Sequence, residues 1–442
     1  MPIRYKSLYL FGRLLTGLRI PKTHITDLAA EGMKLIVARQ TVSRNLKFRR
    51  FSIYLAAIAF FCCLTNTVRA EPGVFEDRIV FGQSAAFEGP AASLGTDIRN
   101  GILAAFDEVN RTGGVNGRKL ELISYNDGYE PELAIDNTRR LIEQDQVFAL
   151  IGEVGTPTSR AVQPIAREYR APFIGAFTGA AFLRDPGLTN VINIRASYDQ
   201  ETEELVDFLV KDRGIKRIAI LYQDDTFGSA GLSGVVAALN RRGLELVADG
   251  TYMRNTVAVK RAALAIRKAQ PDAVIIIGAY KPAAEFIRIA RSIGVDALFL
   301  TVSFVGSNAL ASDLGKEGSG VIVSQVVPLF HDTSVSVVAS FHDAMAKLSE
   351  TSGRDLLIDG LGFVSLEGYI TGRLVVEVLR DLGDDLTRET FIGLFEELKG
   401  YEIDGFSLQY GPGDNQGSNN VFLTVINDDG KFETIKRQAA DQ

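Results

Sequence analysis

The chain has 442 residues, a formal net charge of −6, two cysteines, three histidines and no tryptophan. Residues 1–70 hold 12 Lys and Arg against 2 Asp and Glu, which leaves 71–442 with 36 basic and 52 acidic residues, a net of −16. Both cysteines, Cys62 and Cys63, lie in the first part, so the long acidic remainder excludes a disulfide framework, a thiolate metal site, a catalytic thiol and a nucleic-acid-binding face.

Arg44, Lys47, Arg49 and Arg50 precede the apolar run FSIYLAAIAFFCCL (51–64), and Val68-Arg69-Ala70 follows it. A basic segment, a short apolar core and compact residues before a cut read as an export signal cleaved after Ala70. Fourteen apolar residues fall short of the roughly 20 needed to span a bilayer, so no stable membrane insertion is expected after cleavage. Phe60 and Phe61 before Cys62 argue against lipidation. Met33 opens a shorter signal, which leaves the translation start open between Met1 and Met33.

From Arg78 onward, apolar runs alternate with helical patterns. RIVFGQSA (78–85) reads as a strand, and Thr96 to Asn110 places Ile98, Ile102, Ala105, Phe106 and Val109 on one helical face. A turn at 113–117, the strand KLELISY, the helix LAIDNTRRLIEQD, the strand VFALIG (147–152), the helix SRAVQPIAREY and the strand APFIGAF follow. After NVINIRASYDQ (190–200) the rhythm resumes: helix 201–212, strand 217–223, helix 229–242, strand 244–248 and helix 257–269. The run DAVIIIGA (272–279) is apolar throughout, as a strand buried on both faces should be. Helix 282–293, strands 298–302 and 321–327, and a long helix from Leu366 to Leu382 complete the pattern. Alternation of this kind predicts parallel sheets covered by helices, here as two doubly wound α/β lobes separated near residue 196.

Ligands of open α/β sheets bind beyond the carboxyl ends of the strands. The loops there contain Ser84, Glu153, Thr156, Phe177, Thr178, Asp224, Phe227, Tyr280, Ser303 and Phe304. Hydroxyls and free N–H groups at a helix N-terminus suit a carboxylate, and neighbouring aromatics make an apolar wall. The same residue types are ordinary caps and turn formers; their recurrence in both halves is what favours a site. No GxxxxGK[ST], GxSxG or GxGxxG occurs, and His331 and His342, eleven residues apart, do not fit a helical metal pair. No cofactor, metal or catalytic residue is expected.

The stretches IVFGQSAAFEGPAASLG, GILAAFDEVNRTGGVNGRKLELISYNDG, ALIGEVGTPTSRAVQPIA, RIAILYQDDTFGSAGL, PDAVIIIGAYKPAAEFIRIARSIG, FVGSNAL and SLEGYITGRLVVEVL together resemble the leucine/isoleucine/valine-binding branch of the periplasmic substrate-binding proteins of ABC importers. The resemblance covers about residues 76–435. It implies a type I periplasmic binding fold, two Rossmann-like lobes joined by a three-strand hinge: 78–196 plus 328–404 as one lobe, 197–327 plus 405–435 as the other. It implies a monomeric periplasmic protein that binds a small molecule and delivers it to ABC permease transmembrane subunits. A ligand-sensing receptor module of the same fold is the first rival and an α/β hydrolase the second. By the resemblance, Thr156 receives a ligand carboxylate, with Phe177 and Thr178 beside it, Leu94 on the first-loop wall, Phe227 and Tyr280 as the aromatic lid, and Tyr198 or Asp199 on the hinge side; Ser84, at the end of the first strand, is a further binding candidate by its position. One position departs: Ser303 stands where the family carries the acid that pairs with a ligand ammonium. Either Asp199 or Glu153 takes over, or the ligand is not a standard α-amino acid but an aromatic or aliphatic acid, or an amide.

Overall fold

The computed structural model describes residues 71–436 apart from Leu398; the expected export signal lies outside the described residues. Among the described residues no helix is long and apolar enough to cross a membrane.

The first half builds β1 (Arg78–Ala85), α1 (Ala92–Asn110), β2 (Lys119–Asn126), α2 (Pro131–Arg139), β3 (Ala149–Ile151), α3 (Thr156–Glu168), β4 (Phe173–Ile174) and β5 (Val191–Ile192). Its five strands form one parallel sheet in the order β2-β1-β3-β4-β5. The expected strand over 171–177 shrinks to the two residues of β4, with an isolated bridge joining Val154 to Phe177.

The chain then crosses to a second set: α4 (Tyr198–Asp207), β6 (Ile218–Gln223), α5 (Thr226–Asn240), β7 (Ala248–Tyr252), α6 (Lys260–Ala269), β8 (Ala273–Ile277), α7 (Tyr280–Ser292), β9 (Leu298–Thr301), α8 (Ser307–Leu314) and β10 (Ile322–Gln325). Helix α4 starts three residues before the expected 201. Ser197 accepts from the Gln200 N–H while Gln200 Oε1 accepts from the Ser197 N–H, a capping box that fixes Tyr198 as the first helical residue. The strand expected at 244–248 is displaced: Leu244, Leu246 and Val247 reach the core as a loop, and β7 follows them. β7 is an edge strand with alternating exposure, so it carries no apolar run to mark it.

After a second crossing come α9 (Ser336–Ser352), α10 (Leu356–Asp359), α11 (Phe363–Leu382), α12 (Arg388–Glu396), the hairpin β11 (Lys399–Ile403)–β12 (Phe406–Tyr410), and finally β13 (Phe422–Ile426) and β14 (Phe432–Thr434). The sheet of the second lobe is therefore mixed, ordered β14-β13-β10-β9-β8-β6-β7, with β13 antiparallel to β10 and β14 antiparallel to β13. In the hairpin Ile403 pairs with Phe406, so the expected boundary at 404/405 falls at its turn.

Helices α9 and α11 return to pack on α1. Helix α11 lies unusually close: a Cβ on Gly101 would stand 1.9 Å from the Ser365 carbonyl oxygen, and one on Gly368 2.3 Å from that of Ile98. The first and last crossings are bound to each other. Asn193 N–H donates to Asn415 O at 2.8 Å, Gly417 N–H to Asn193 O at 2.9 Å, and Tyr410 Oη to Asn193 O at 3.0 Å.

Candidate functional site between the strand ends

The carboxyl ends of β1–β4 form one wall. Ser84 Oγ donates to Asp127 Oδ2 at 2.8 Å, and the other oxygen of Asp127 accepts the Tyr129 N–H at 2.8 Å. Glu153 follows β3, and then Gly155, whose φ of +104° a side chain would strain and whose Cβ would meet the Tyr129 ring at 2.1 Å. This glycine turns the chain into α3, leaving Thr156 at the helix start. Thr156 Oγ1 and Thr178 Oγ1 share a hydrogen bond of 2.7 Å, so two hydroxyls and the N-terminus of a 13-residue helix face one point.

The opposite wall comes from β6, β8 and β9. Asp225 caps α5 by accepting from the Phe227 and Gly228 N–H groups, which sets Phe227 in the first turn. Tyr280 opens α7, and its hydroxyl accepts from the Ser93 N–H across the lobes at 3.4 Å. Leu94 reaches to Gly306, where a Cβ would lie 2.5 Å from Leu94 Cδ2.

Phe304, in the turn Ser303–Val305, ties the walls together. Its ring centroid lies 4.5 Å from that of Phe227, 5.4 Å from Phe177 and 6.1 Å from Tyr129, and Tyr198 packs on Phe227 at 5.4 Å. Such pairs contribute roughly 0.5–1.5 kcal/mol each beyond their burial. The lobes also meet through Arg254, which pairs with Glu130 at 2.7 Å and Asp225 at 3.3 Å, and through Asn255, which donates to Gly128 O and Glu130 Oε1.

Beneath the aromatics lies a buried ionic group. Arg195, 1% exposed, sits over the Phe177 ring at 4.7 Å, 3.5 Å from Glu201 and 3.6 Å from Glu367. Its Nη2 donates to Ser303 Oγ. Glu201 is fully engaged, accepting from Ser303 N–H, Ser303 Oγ and Ser324 Oγ. Burial lowers the Arg195 pKa, yet Glu367 and Glu201 together outweigh it and raise it overall. Burial pushes Glu367 up to about 7 against the opposing pull of Arg195.

The structure brings Ser84, Leu94, Thr156, Phe177, Thr178, Tyr198, Phe227, Tyr280 and Ser303 to these facing strand ends, all of them buried. It does not bring Asp199, which is exposed and lies with Gln200, Glu203, Arg241 and Asn419 on the outer surface. Sequence reasoning noted Phe304 in its loop without assigning it to the site, and passed over Tyr129, Arg195, Glu201 and Glu367. A glutamate among the glycines and apolar residues of SLEGYITG was the available signal for Glu367, since a buried carboxylate needs a partner.

Glu153 is 1% exposed, and no side chain hydrogen-bonds to its carboxylate. Burial pushes its pKa up to about 8, opposed by its own and the Ser84 backbone N–H groups and reinforced by Asp127. Burial likewise raises Asp127, to about 6. A carboxyl whose folded pKa exceeds its unfolded value favours folding below the unfolded pKa, and that contribution fades as pH rises through the folded one. Stability should therefore decline between about pH 5 and 8, by at most about 1.4 kcal/mol per unit for Glu153. Glu153→Gln should flatten this slope in urea titrations at stepped pH; an unchanged slope would contradict the burial argument.

Two α/β lobes, crossed three times by the chain and meeting through buried aromatic and polar groups at their strand ends, define a two-lobed binding protein. The chain belongs to the periplasmic binding protein family, whose model matches residues 78–431. A possible leucine/isoleucine/valine-binding protein from Rhodopirellula baltica has a similar structure, with a TM-score of 0.76 and 39% identity over 81% of this chain and 96% of that one. Leu/Ile/Val-binding protein homolog 7 of Brucella abortus is 24% identical over 82% of this chain and 92% of its own. An amino acid binding protein of Pseudomonas aeruginosa is 26% identical over 54% of this chain and 63% of that protein, under two thirds of its length. Membership in this family bears out the reading of a binder rather than an enzyme, and the type I fold with it.

Proposed function

We propose that this chain is the extracytoplasmic solute-binding component of an ABC importer, holding a small carboxylate-bearing ligand between its lobes and handing it to a membrane permease. The observation that carries the reading is the Thr156–Thr178 hydroxyl pair at the start of α3, buried and faced by aromatics of the other lobe. The partially free N–H groups and positive end of that helix favour an anion there. The buried Tyr198 hydroxyl, next to Thr178, can add a donor there. Its relatives, an amino acid binding protein and Leu/Ile/Val-binding proteins, agree with a ligand of this size. The protein works as a monomer in the periplasm after loss of residues 1–70. Its lobes are 78–196 with 328 onward, and 197–327 with the C-terminal strands, the return crossing lying beyond β12.

Closure is driven by contacts that the ligand makes to both lobes, because only contacts stronger in the closed state shift that equilibrium. Thr156→Ala is expected to weaken binding of a carboxylate ligand by roughly tenfold, the loss of one hydrogen bond to a charged group. Isothermal titration of wild type and variant with the same ligand reads this directly. Equal affinities would remove Thr156 from the site.

A further inference from the structure

Strand β2 is the end strand of the first sheet, and β7 is the end strand of the second. The crossings leave from β5, at the opposite end of the first sheet, and from β10, beside which β13 returns. The loops that follow β2 and β7 meet each other at the edge farthest from the hinge. A contact there has the longest lever arm against opening of the lobes.

The loop after β2 holds Gly128, Tyr129 and Glu130. Glu130 occupies the N-cap of α2, yet its side chain makes no cap bond. Both of its oxygens serve the other lobe instead. Oε2 accepts from Arg254 Nη2 at 2.7 Å, and Oε1 accepts from Asn255 Nδ2 at 2.7 Å. Asn255 Nδ2 also donates to Gly128 O at 2.9 Å. Arg254 is tied within its own lobe, where Nη1 donates to Asp225 Oδ2 at 3.3 Å. Its guanidinium is therefore held in place before Glu130 arrives, and pairing costs less side-chain entropy. The backbone is left-handed on both sides of the contact, with φ of +63° at Tyr129 and +58° at Asn255. An aromatic residue in that region is strained, and such strain persists only where the surroundings hold it. The Tyr129 hydroxyl is held by the second lobe, accepting from Gln223 Nε2 at 3.3 Å. The side chains of Arg254 and Glu130 are 21% and 40% exposed, unlike the buried residues at the strand ends, so the pair lies at the rim and within reach of salt.

We infer that Arg254 is a positioning residue of the binding protein: with Asn255 it latches Glu130 across the rim of the cleft and favours the closed arrangement independently of any solute. This goes beyond the identity of the ligand and rests on the two-lobed solute-binding reading. Closure and binding are linked, so a latch made only of protein groups raises the affinity for every solute held between the lobes by one common factor, the gain in closed population. Thr156 and Thr178, on the same lobe as Glu130, are not part of it.

The test uses the full chain without solute. Cys62→Ser and Cys63→Ser remove both of its cysteines. Leu133→Cys on α2 and Leu264→Cys on α6, both exposed positions, then carry the only two spin labels. Double electron–electron resonance reads the distance between them. The expected result is a short and a long distance, with the ratio shifted about tenfold toward the long one by Glu130→Ala or by Arg254→Met. The double variant should shift it no further than either single change, because the two residues act as one contact. Raising salt from about 0.1 M to 1 M should move the labelled parent in the same direction and Glu130→Ala much less. The Glu130 side chain bonds nothing in its own lobe, so Glu130→Ala should still unfold cooperatively on heating. Identical distances in parent and Glu130→Ala, single shifts that add in the double variant, or a full salt response in Glu130→Ala would each overturn the latch. They would leave the solute-binding reading standing, because no solute enters the measurement.

Discussion

Arg195→Ala is expected to destabilise the folded chain by about 3–5 kcal/mol, the usual consequence of removing one partner from a buried ion pair. Arg195 and Glu201 are almost wholly buried, and Glu367 nearly so. Alanine would leave two carboxylates facing each other with Arg184 as the one remaining nearby cation, push Glu367 above its value of about 7, and strip Ser303 Oγ of its donor. The loss should be largest at high pH, where Glu367 is ionised. Urea unfolding at pH 6 and pH 8 measures it. A double variant, Arg195→Ala with Glu367→Gln, should cost less than the sum of the single changes, because the pair is coupled. A loss under about 1 kcal/mol would mean that the ion group contributes nothing to the crossing it occupies.

The second large effect is steric. Gly101→Ala places a methyl 1.9 Å from the Ser365 carbonyl oxygen and 2.6 Å from the Tyr369 nitrogen, both backbone atoms of α11. Neither can swing aside as a side chain would, so α1 and α11 must separate, and overpacking of this kind costs about 1–3 kcal/mol or more. Helix propensity favours alanine over glycine by about 1 kcal/mol, in the opposite direction. A net fall in the thermal midpoint is the expected outcome; a rise would show that the close crossing is not needed. The comparison matters for function because α11 also carries Glu367, and a shifted helix moves that carboxylate away from Arg195.

How much of this was legible in the chain depends on the kind of signal. Strands β1, β6 and β8 were recovered within a residue or two because buried parallel strands are continuous apolar runs. The edge strand β7 was displaced because half its residues face water, and β13 and β14 were missed because the antiparallel return follows a glycine- and asparagine-rich stretch with no periodicity. The site was legible where it depends on position at a strand end, as for Thr156, Thr178 and Phe227. It was not legible where it depends on partners distant in the chain. Arg195 becomes meaningful only when Glu201, Ser303 and Glu367, from three other elements, surround it. Asp199 shows the converse: it sits one residue from the buried Tyr198, but the turn of α4 sends it to the outer surface.

The central claim, a small solute held between the lobes, is tested most directly by the thermal midpoint of the full chain across a panel of amino acids, amides and aromatic or aliphatic acids. A ligand present at roughly 100 times its dissociation constant adds about 2.7 kcal/mol, a rise of several degrees that Thr156→Ala should reduce. Stabilisation by one chemically related group within the panel is the predicted result. A flat response across the panel in the wild type would contradict the account.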